Sequence, residues 1–337
     1  MRREVFTALA FVVAVSAFAD AVDKDYAHAL TFGADAALNV FVHDENGHPV
    51  EGAVINYAFW LTNLKQTIAK NGITDKSGHY LAKGKCSADV HLSVSCEGYY
   101  SSRLEKGMSS FGGDPKVSDG KWQPYGVELP IELRKIKNPI HLVGYSGRSF
   151  IEIPVTNTWI GFDMDKCDLV RPFGKGITDD FRFIFQWDGK IRGQYEGSSL
   201  SIRFAGPCAG GYWANLKSGS EFRSVYSADT NQTFVSDFAF DIKKDSEYWD
   251  APIMGKTRSL VFRTRCKTDP DGNLKEAYYG IMNKLRFGWN SNGKGRLEIS
   301  YSRNPKVNDA NLESDYFSKV SKINHCSNPG SIGVLQP

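Results

Sequence analysis

The chain has 337 residues, of which 41 are Lys or Arg and 38 Asp or Glu, a formal charge of +3. So small an excess is no polyanion-binding signature and argues against nucleic acid as a partner. With 41% hydrophobic and 23% charged residues, wholesale disorder is excluded, and at ~100–200 residues per domain the length predicts two domains, each with its own core.

Met1-Arg2-Arg3 is a short basic head, Val5 to Val15 is an apolar run broken only by Thr7, and Ala17-Phe18-Ala19 is a small-x-small triplet. This is the layout of a secretory signal peptide over residues 1–19, cut between Ala19 and Asp20. The apolar run is about half of the ~20 residues that a spanning helix needs. Arg2-Arg3 also suggests a twin-arginine signal, but the surrounding residues fit that pattern poorly. The expectation is an exported protein, periplasmic or extracellular, with no transmembrane anchor after cleavage.

Export changes how the cysteines read. Cys86, Cys96, Cys167, Cys208, Cys266 and Cys326 are even in number and contain no C-x-x-C, which in an oxidising compartment favours disulfides over metal. Cys86 is expected to pair with Cys96, because both fall in the first domain, leaving the other four to pair within the second. Buried free thiols are the alternative.

Residues 20–136 predict a small β-sandwich. Leu38 to Val42 is a strand by composition, and Asp44-Glu45-Asn46-Gly47 is a turn in which Asn-Gly supplies positive φ. Val54 to Leu61 is a second apolar run. Gly72 to Tyr80 contains another turn, and Val90, Leu92 and Val94 face away from His91 and Ser93. Asn63 to Ala69 has the composition of a short helix, and Ser101 to Lys121, rich in Ser and Gly, reads as a loop. Val127 to Ile136 alternates as a last strand.

The spacing Val42-x-Asp44-x-x-Gly47-x-Pro49-Val50-x-Gly52-Ala53, then Gly72-x-Thr74-Asp75-x-x-Gly78-x-Tyr80, then Gly98-Tyr99 resembles the carboxypeptidase regulatory-like domain over about residues 36–101, extended to 136 by the last strand. The resemblance implies a prealbumin-like, seven-stranded sandwich: an accessory module of exported proteins without catalytic residues of its own. In this reading Gly47, Gly52 and Gly78 permit turns, Pro49 fixes φ at a strand entry, and Asp44 and Asp75 accept hydrogen bonds from turn amides.

Residues 137–337 predict a larger antiparallel β domain, a sandwich or jelly roll, entered at Lys137-Asn138-Pro139. Phe181, Phe183, Phe185 and Trp187 alternate with Arg182, Ile184 and Gln186; Leu200, Ile202 and Phe204 share a phase, as do Phe234 to Ile242, Leu260 to Thr264 and Leu297 to Tyr301. Period-two patterns between Gly/Asn/Asp turns mean sheets with one wet face. Several segments of this part resemble an uncharacterised family of exported bacterial proteins, which implies no activity.

Candidate chemistry is sparse. Asp163, Asp165, Asp168, Asp179 and Asp180 cluster in sequence. They offer a Ca²⁺ site, for which Asp163, Asp165 and Asp168 are the candidate ligands, or an acid/base pair for glycan hydrolysis. Lys166, Arg171 and Lys175 alternatively neutralise them as a polar loop. Asp269-Pro270-Asp271-Gly272-Asn273 lacks the spacing of a calcium-binding loop and reads as a hairpin turn. Gly288 to Gly295 lacks the hydroxyl of a phosphate loop, and Gly144 to Arg148 lacks the last glycine of a nucleophile elbow. Tyr212, Trp213, Tyr248 and Trp249 stand in glycine-rich or polar stretches, where exposed rings would stack on sugars and buried ones would cap sheet edges.

These observations converge on an all-β, exported, non-catalytic protein with an adhesion, envelope-associated or carbohydrate-binding role, its partner a glycan or envelope polymer and its catalytic residues none. A secreted glycan hydrolase using the acidic residues of the second domain is the alternative, and an assembly protein recruiting partners through sheet edges is a third.

Overall fold

The computed structural model describes residues 24–87, 89–108, 116–146, 150–187, 197–243, 250–254, 257–289 and 294–315. The signal segment, Tyr248, Trp249 and Cys326 lie outside them. The chain divides into two compact units, one of residues 1–136 with 219–222, the other of residues 137–218 with 223–337.

The first unit opens with a short helix, α1 (Lys24–Phe32), followed by β1 (Ala34–Asp44), β2 (Val54–Leu61), β3 (Gln66–Ile73), β4 (His79–Cys86), β5 (Asp89–Ser95), β6 (Tyr99–Tyr100), β7 (Ser102–Gly107), β8 (Lys116–Ser118), β9 (Lys121–Gln123) and β10 (Val127–Lys135). One sheet has the order β6-β10-β1-β9-β8, with β4 also on β1; the other has the order β3-β2-β5-β7. Leu38, Val40 and Val42 of β1, Ile55, Tyr57 and Phe59 of β2, Val90, Leu92 and Val94 of β5, and Leu129, Ile131 and Leu133 of β10 share one core. The strand period of two sends these residues inward and their neighbours outward.

The turns follow from Asp side chains. Asp44 Oδ1 accepts from the Asn46 and His48 amides at 2.9 and 3.0 Å, and Asp75 Oδ1 accepts from those of Ser77 and His79 at the same distances. Asp269 repeats the device with Asp271 and Asn273 at 3.1 and 2.8 Å. Each turn places a glycine at positive φ: Gly47, Gly78 and Gly272 at 82°, 77° and 86°. At Gly78 space is limiting as well, since a Cβ would stand 2.4 Å from the Val42 carbonyl oxygen.

Two expectations for this unit are corrected. Asn63 to Ala69 is not a helix: the chain turns through Lys65, at φ 48°, and Gln66–Ile73 pairs residue by residue with β2. As an edge strand it is exposed at nearly every position, so no alternation marks it. Ser101 to Lys121 is not one loop, because Ser102–Gly107 pairs with β5 and Lys116–Ser118 with β9. The helix α1 has only Ala29 buried and is closed by Gly33, whose amide donates to the Ala29 carbonyl at 2.8 Å in the left-handed conformation of a helix C-terminus.

The second unit contains β11 (Val143–Ser146), β12 (Ile151–Glu152), β13 (Ile160–Asp163), β14 (Asp168–Leu169), β15 (Phe181–Trp187), β16 (Gly197–Phe204), β17 (Gly210–Asn215), β18 (Asp237–Lys243), β19 (Asp250–Met254), β20 (Arg258–Thr268), β21 (Leu274–Trp289) and β22 (Gly295–Arg303). A seven-stranded sheet has the order β11-β22-β21-β20-β17, with β12 on β22 and β19 on β21; a five-stranded sheet has the order β14-β13-β15-β16-β18. Phenylalanines fill the space between them: Phe162, Phe181, Phe183 and Phe185 meet Phe262, Phe287, Leu297 and Ile299 in one buried cluster. Ala214, Val261, Ala277, Tyr279 and Ile281 form a smaller cluster with Leu312, so the seven-stranded sheet buries side chains on both faces. Both units are thus β-sandwiches. Among the described residues no helix is long and apolar enough to cross a membrane.

Candidate functional site

The outer face of the first unit's four-stranded sheet is a polar cleft of about 720 Å³. Its composition follows from register. Asn71, Asn56, Ser93 and Arg103 lie opposite one another across β3, β2, β5 and β7, and Ala69, Ala58, His91 and Glu105 form the next row. With strands ~4.8 Å apart, four strands make a row of about 14 Å. The two alanines leave a floor without bulk, on which Asn56, Asn71, His91, Arg103 and Glu105 stand exposed. His91 Nδ1 is 3.8 Å from Glu105, and Arg103 reaches Glu221 of the same unit at 3.4 Å. Trp60, half-buried, borders the floor opposite Thr67, while Val54 and the 63%-exposed Ile73 border the other end. Amides, a guanidinium, an imidazole and a carboxylate thus converge on a shallow surface flanked by apolar groups.

The acidic residues of the second unit serve another purpose. Asp163 is 2% exposed and Asp180 is fully buried. Arg265 reaches into them, with its Nε 2.8 Å from Asp180 Oδ1 and an Nη 3.2 Å from Asp163 Oδ1, and it also pairs with Asp165. Arg303 holds the other oxygen of Asp165 at 2.5 Å. The backbone completes the set: Asp163 accepts from the amides of Asp165, Lys166, Ile177 and Thr178 at 2.9–3.1 Å, and Asp180 accepts from that of Met164 at 2.8 Å. Asp168 instead accepts from the Leu169 and Lys175 amides, and Asp179 pairs with Arg182. The Ca²⁺ expectation for Asp163, Asp165 and Asp168 is therefore corrected. A guanidinium occupies the cation's place, Asp168 is engaged elsewhere, and no group of three or more potential ligands among the described residues could hold a metal ion.

Burial alone would raise the Asp163 carboxyl, but its four amide donors outweigh burial and hold it below the ordinary 3.8. Asp44 is likewise held down by the His48 and Asn46 amides against burial. Because both groups bind the proton more weakly folded than unfolded, their contribution is complete above about pH 4 and is lost as pH falls further through the folded values. Stability measured by urea unfolding is accordingly expected to drop below about pH 4, and Asp163→Asn to flatten part of that drop. A profile identical in wild type and variant would refute the assignment.

Tyr212 and Trp213 do not form an aromatic platform. As neighbours on β17 they point to opposite faces of the sheet. The Tyr212 hydroxyl accepts from the Asp229 amide at 2.7 Å and its ring meets Phe234 edge-on at 5.2 Å. Trp213 meets Phe238 and Phe240 edge-on at 5.9 and 6.2 Å, with the Arg258 guanidinium 4.1 Å from its ring centroid. The rings cap packing clusters, the second of the two roles the sequence allows.

Cys86, Cys96, Cys208 and Cys266 carry thiols. The expected Cys86–Cys96 bridge is corrected by topology. Ser87, next to Cys86, donates to Trp60 near the end of β2, while Ser95, next to Cys96, pairs with Val54 at its beginning. Six residues of strand, about 20 Å, separate positions that a disulfide needs within ~7 Å. Cys167 is buried, its sulfur 3.2 Å from the Tyr301 hydroxyl.

No protein-family model and no curated protein sequence matches the chain. Among solved structures it is similar to the 3-chlorocatechol 1,2-dioxygenase of Rhodococcus opacus, at 12% identity and a TM-score of 0.25, over 32% of this chain and 61% of that one. The shaft pilin SpaA of Lactobacillus rhamnosus GG follows at 7% identity and a TM-score of 0.20, over 56% of this chain and 94% of the pilin. A Bacteroides uniformis protein provisionally assigned to carbohydrate binding is similar at 10% identity and a TM-score of 0.18, over 82% of this chain and all of that one. The chain spans 54–61% of the length of the catechol dioxygenases it matches. At these identities and TM-scores the likenesses carry no argument about activity.

Proposed function

We propose that the protein is an exported, non-catalytic binding protein, and that the outer face of its four-stranded sheet holds an extended glycan of an envelope or extracellular polymer. The first unit is then an accessory module similar to carboxypeptidase regulatory-like domains, as the Asp44–Ala53 and Gly72–Tyr80 spacings suggest. The observation that carries the reading is the row Asn71–Asn56–Ser93–Arg103 beside the Ala69–Ala58 floor. Sugar hydroxyls are matched by side chains that donate and accept in one plane, and the flat apolar face of a pyranose is matched by methyl groups and a neighbouring indole. The competing hydrolase reading draws no support from Asp163, Asp165 and Asp180, since all three are engaged by Arg265.

The test is binding of the purified protein to a panel of neutral and acidic polysaccharides. At least one class is expected to bind, with Asn56→Ala and Arg103→Ala each weakening it about 10-fold, as loss of about 1.4 kcal/mol of polar contact would give, and Trp213→Ala leaving it unchanged. Binding to no polysaccharide, or binding indifferent to Asn56 and Arg103, would sink the proposal.

A further inference from the structure

A β-bulge in the second unit places two thiols face to face. The β20/β21 register passes from Thr264↔Tyr278 to Lys267↔Glu276, so Arg265 and Cys266 together oppose Ala277. Arg265 takes φ 52°, a left-handed conformation that non-glycine residues rarely adopt. The extra residue has two consequences. It aims Arg265 at Asp163 and Asp180, and it turns Cys266 to the boundary of both core clusters of this unit, where its thiol hydrogen-bonds the sulfur of Cys208.

Cys208 is held there independently. It sits in the turn entering β17, where the Ala209 amide donates to the Gly206 carbonyl at 3.3 Å and Gly206 has φ 114°. Its own carbonyl accepts from Arg263 Nε at 2.5 Å, and two residues on, Gly210 pairs with Arg263. The two backbones that carry the sulfurs are therefore fixed beside each other by strand pairing and by a guanidinium, before any covalent bond exists. Both residues are half-buried, open enough for a small oxidant to reach.

We infer that Cys208 and Cys266 close into a disulfide when the protein meets a disulfide oxidant, stapling the turn before edge strand β17 to the bulge of β20. Burial, reinforced by the contact with Cys208, pushes the Cys266 thiol up to about 12. Its thiolate is scarce at neutral pH, so the first attack is assigned to Cys208. The Cys208 thiolate attacks one sulfur of the oxidant's disulfide, forming a mixed disulfide and expelling one thiolate. Cys266 then loses its proton and attacks the Cys208 sulfur, forming the Sγ–Sγ bond and expelling the second thiolate. Two protein thiols are oxidised, the oxidant's disulfide is reduced to two thiols, and the two protons released end on them. Cys86 and Cys96, at opposite ends of β2, have no such route to each other.

The test is incubation of the reduced full-length protein with oxidised glutathione at pH 8, followed by alkylation and non-reducing peptide mapping. A peptide pair joining Cys208 to Cys266 is expected, with Cys86 and Cys96 still alkylatable after denaturation. The second unit's melting temperature is expected to rise by roughly 4–15 °C on oxidation, a shift absent from Cys208→Ser and Cys266→Ser. Glutathione persisting on Cys208, both thiols remaining alkylatable, or linkage of either to another cysteine would overturn the inference; wild-type mapping alone decides it if a variant does not fold.

Discussion

Replacing Arg265 with methionine is expected to destabilise the second unit by about 3–5 kcal/mol, because it leaves buried carboxylates without their cation. Asp180 and Asp163 have side chains 0% and 3% exposed, so water cannot take over the charge. Arg265 cannot be neutralised instead: the adjacent carboxylates overcome the effect of burial and hold its guanidinium above the ordinary range. Thr264 Oγ1, 3.0 Å from Asp180 Oδ1, and the Met164 amide would be the remaining polar partners of a buried anion. Adding Asp180→Asn to Arg265→Met should recover part of the loss, since the charge left behind, and not the missing contact, is the main cost. Urea unfolding of wild type, both single variants and the double variant measures this directly. A loss below about 1 kcal/mol for Arg265→Met would mean that the cluster is not what holds β13, β15 and β20 together.

Phe262→Ala is expected to cost a similar ~3–5 kcal/mol by opening a cavity between the sheets. Phe262 is fully buried and stacks on Phe204 at 5.8 Å, joining the seven-stranded sheet to the five-stranded one. Its ring lies over Gly280, where a Cβ would stand 2.3 Å from its Cζ. Gly280→Ala alone should therefore destabilise by overpacking, by about 1–3 kcal/mol. In Phe262→Leu the ring clash is relieved while the approach to the Ser302 carbonyl oxygen at 2.7 Å remains, so Gly280→Ala should cost less in that background, but not nothing. Thermal unfolding of the four proteins gives the coupling, and strict additivity would show that the two positions do not share one space.

The alternation of Phe181, Phe183 and Phe185, of Val90, Leu92 and Val94, and of Leu297, Ile299 and Tyr301 was legible because burial on one sheet face repeats every second residue. The turns at Asp44, Asp75 and Asp269 were legible because an Asp followed by a glycine three residues later closes locally. The candidate cleft was half legible: His91 and Ser93 stand on the wet face of a recognisable strand. The cleft could not be assembled because β3, exposed at nearly every position, carries no periodicity and reads as a helix or loop. Its strand state comes from eight consecutive pairings with β2, a long-range cause that leaves no local mark.

The same division holds for the chemistry. Local sequence determined the β class and the turn geometry, and it placed a cluster of carboxylates in the second unit whose role it left open between a cation site, an acid/base pair and a neutralised polar loop. It left the partner of those carboxylates undetermined, because Arg265 lies some 85–102 residues away in sequence. Only the tertiary structure decided that a bulged arginine, and not a metal ion, neutralises them, that Cys86 and Cys96 stand at opposite ends of a strand, and that Cys208 meets Cys266. The physical reason is common to all three: side-chain alternation and turn closure are set by neighbours along the chain, whereas ion pairs and sulfur contacts are set by sheet register, which is fixed only when distant strands pair.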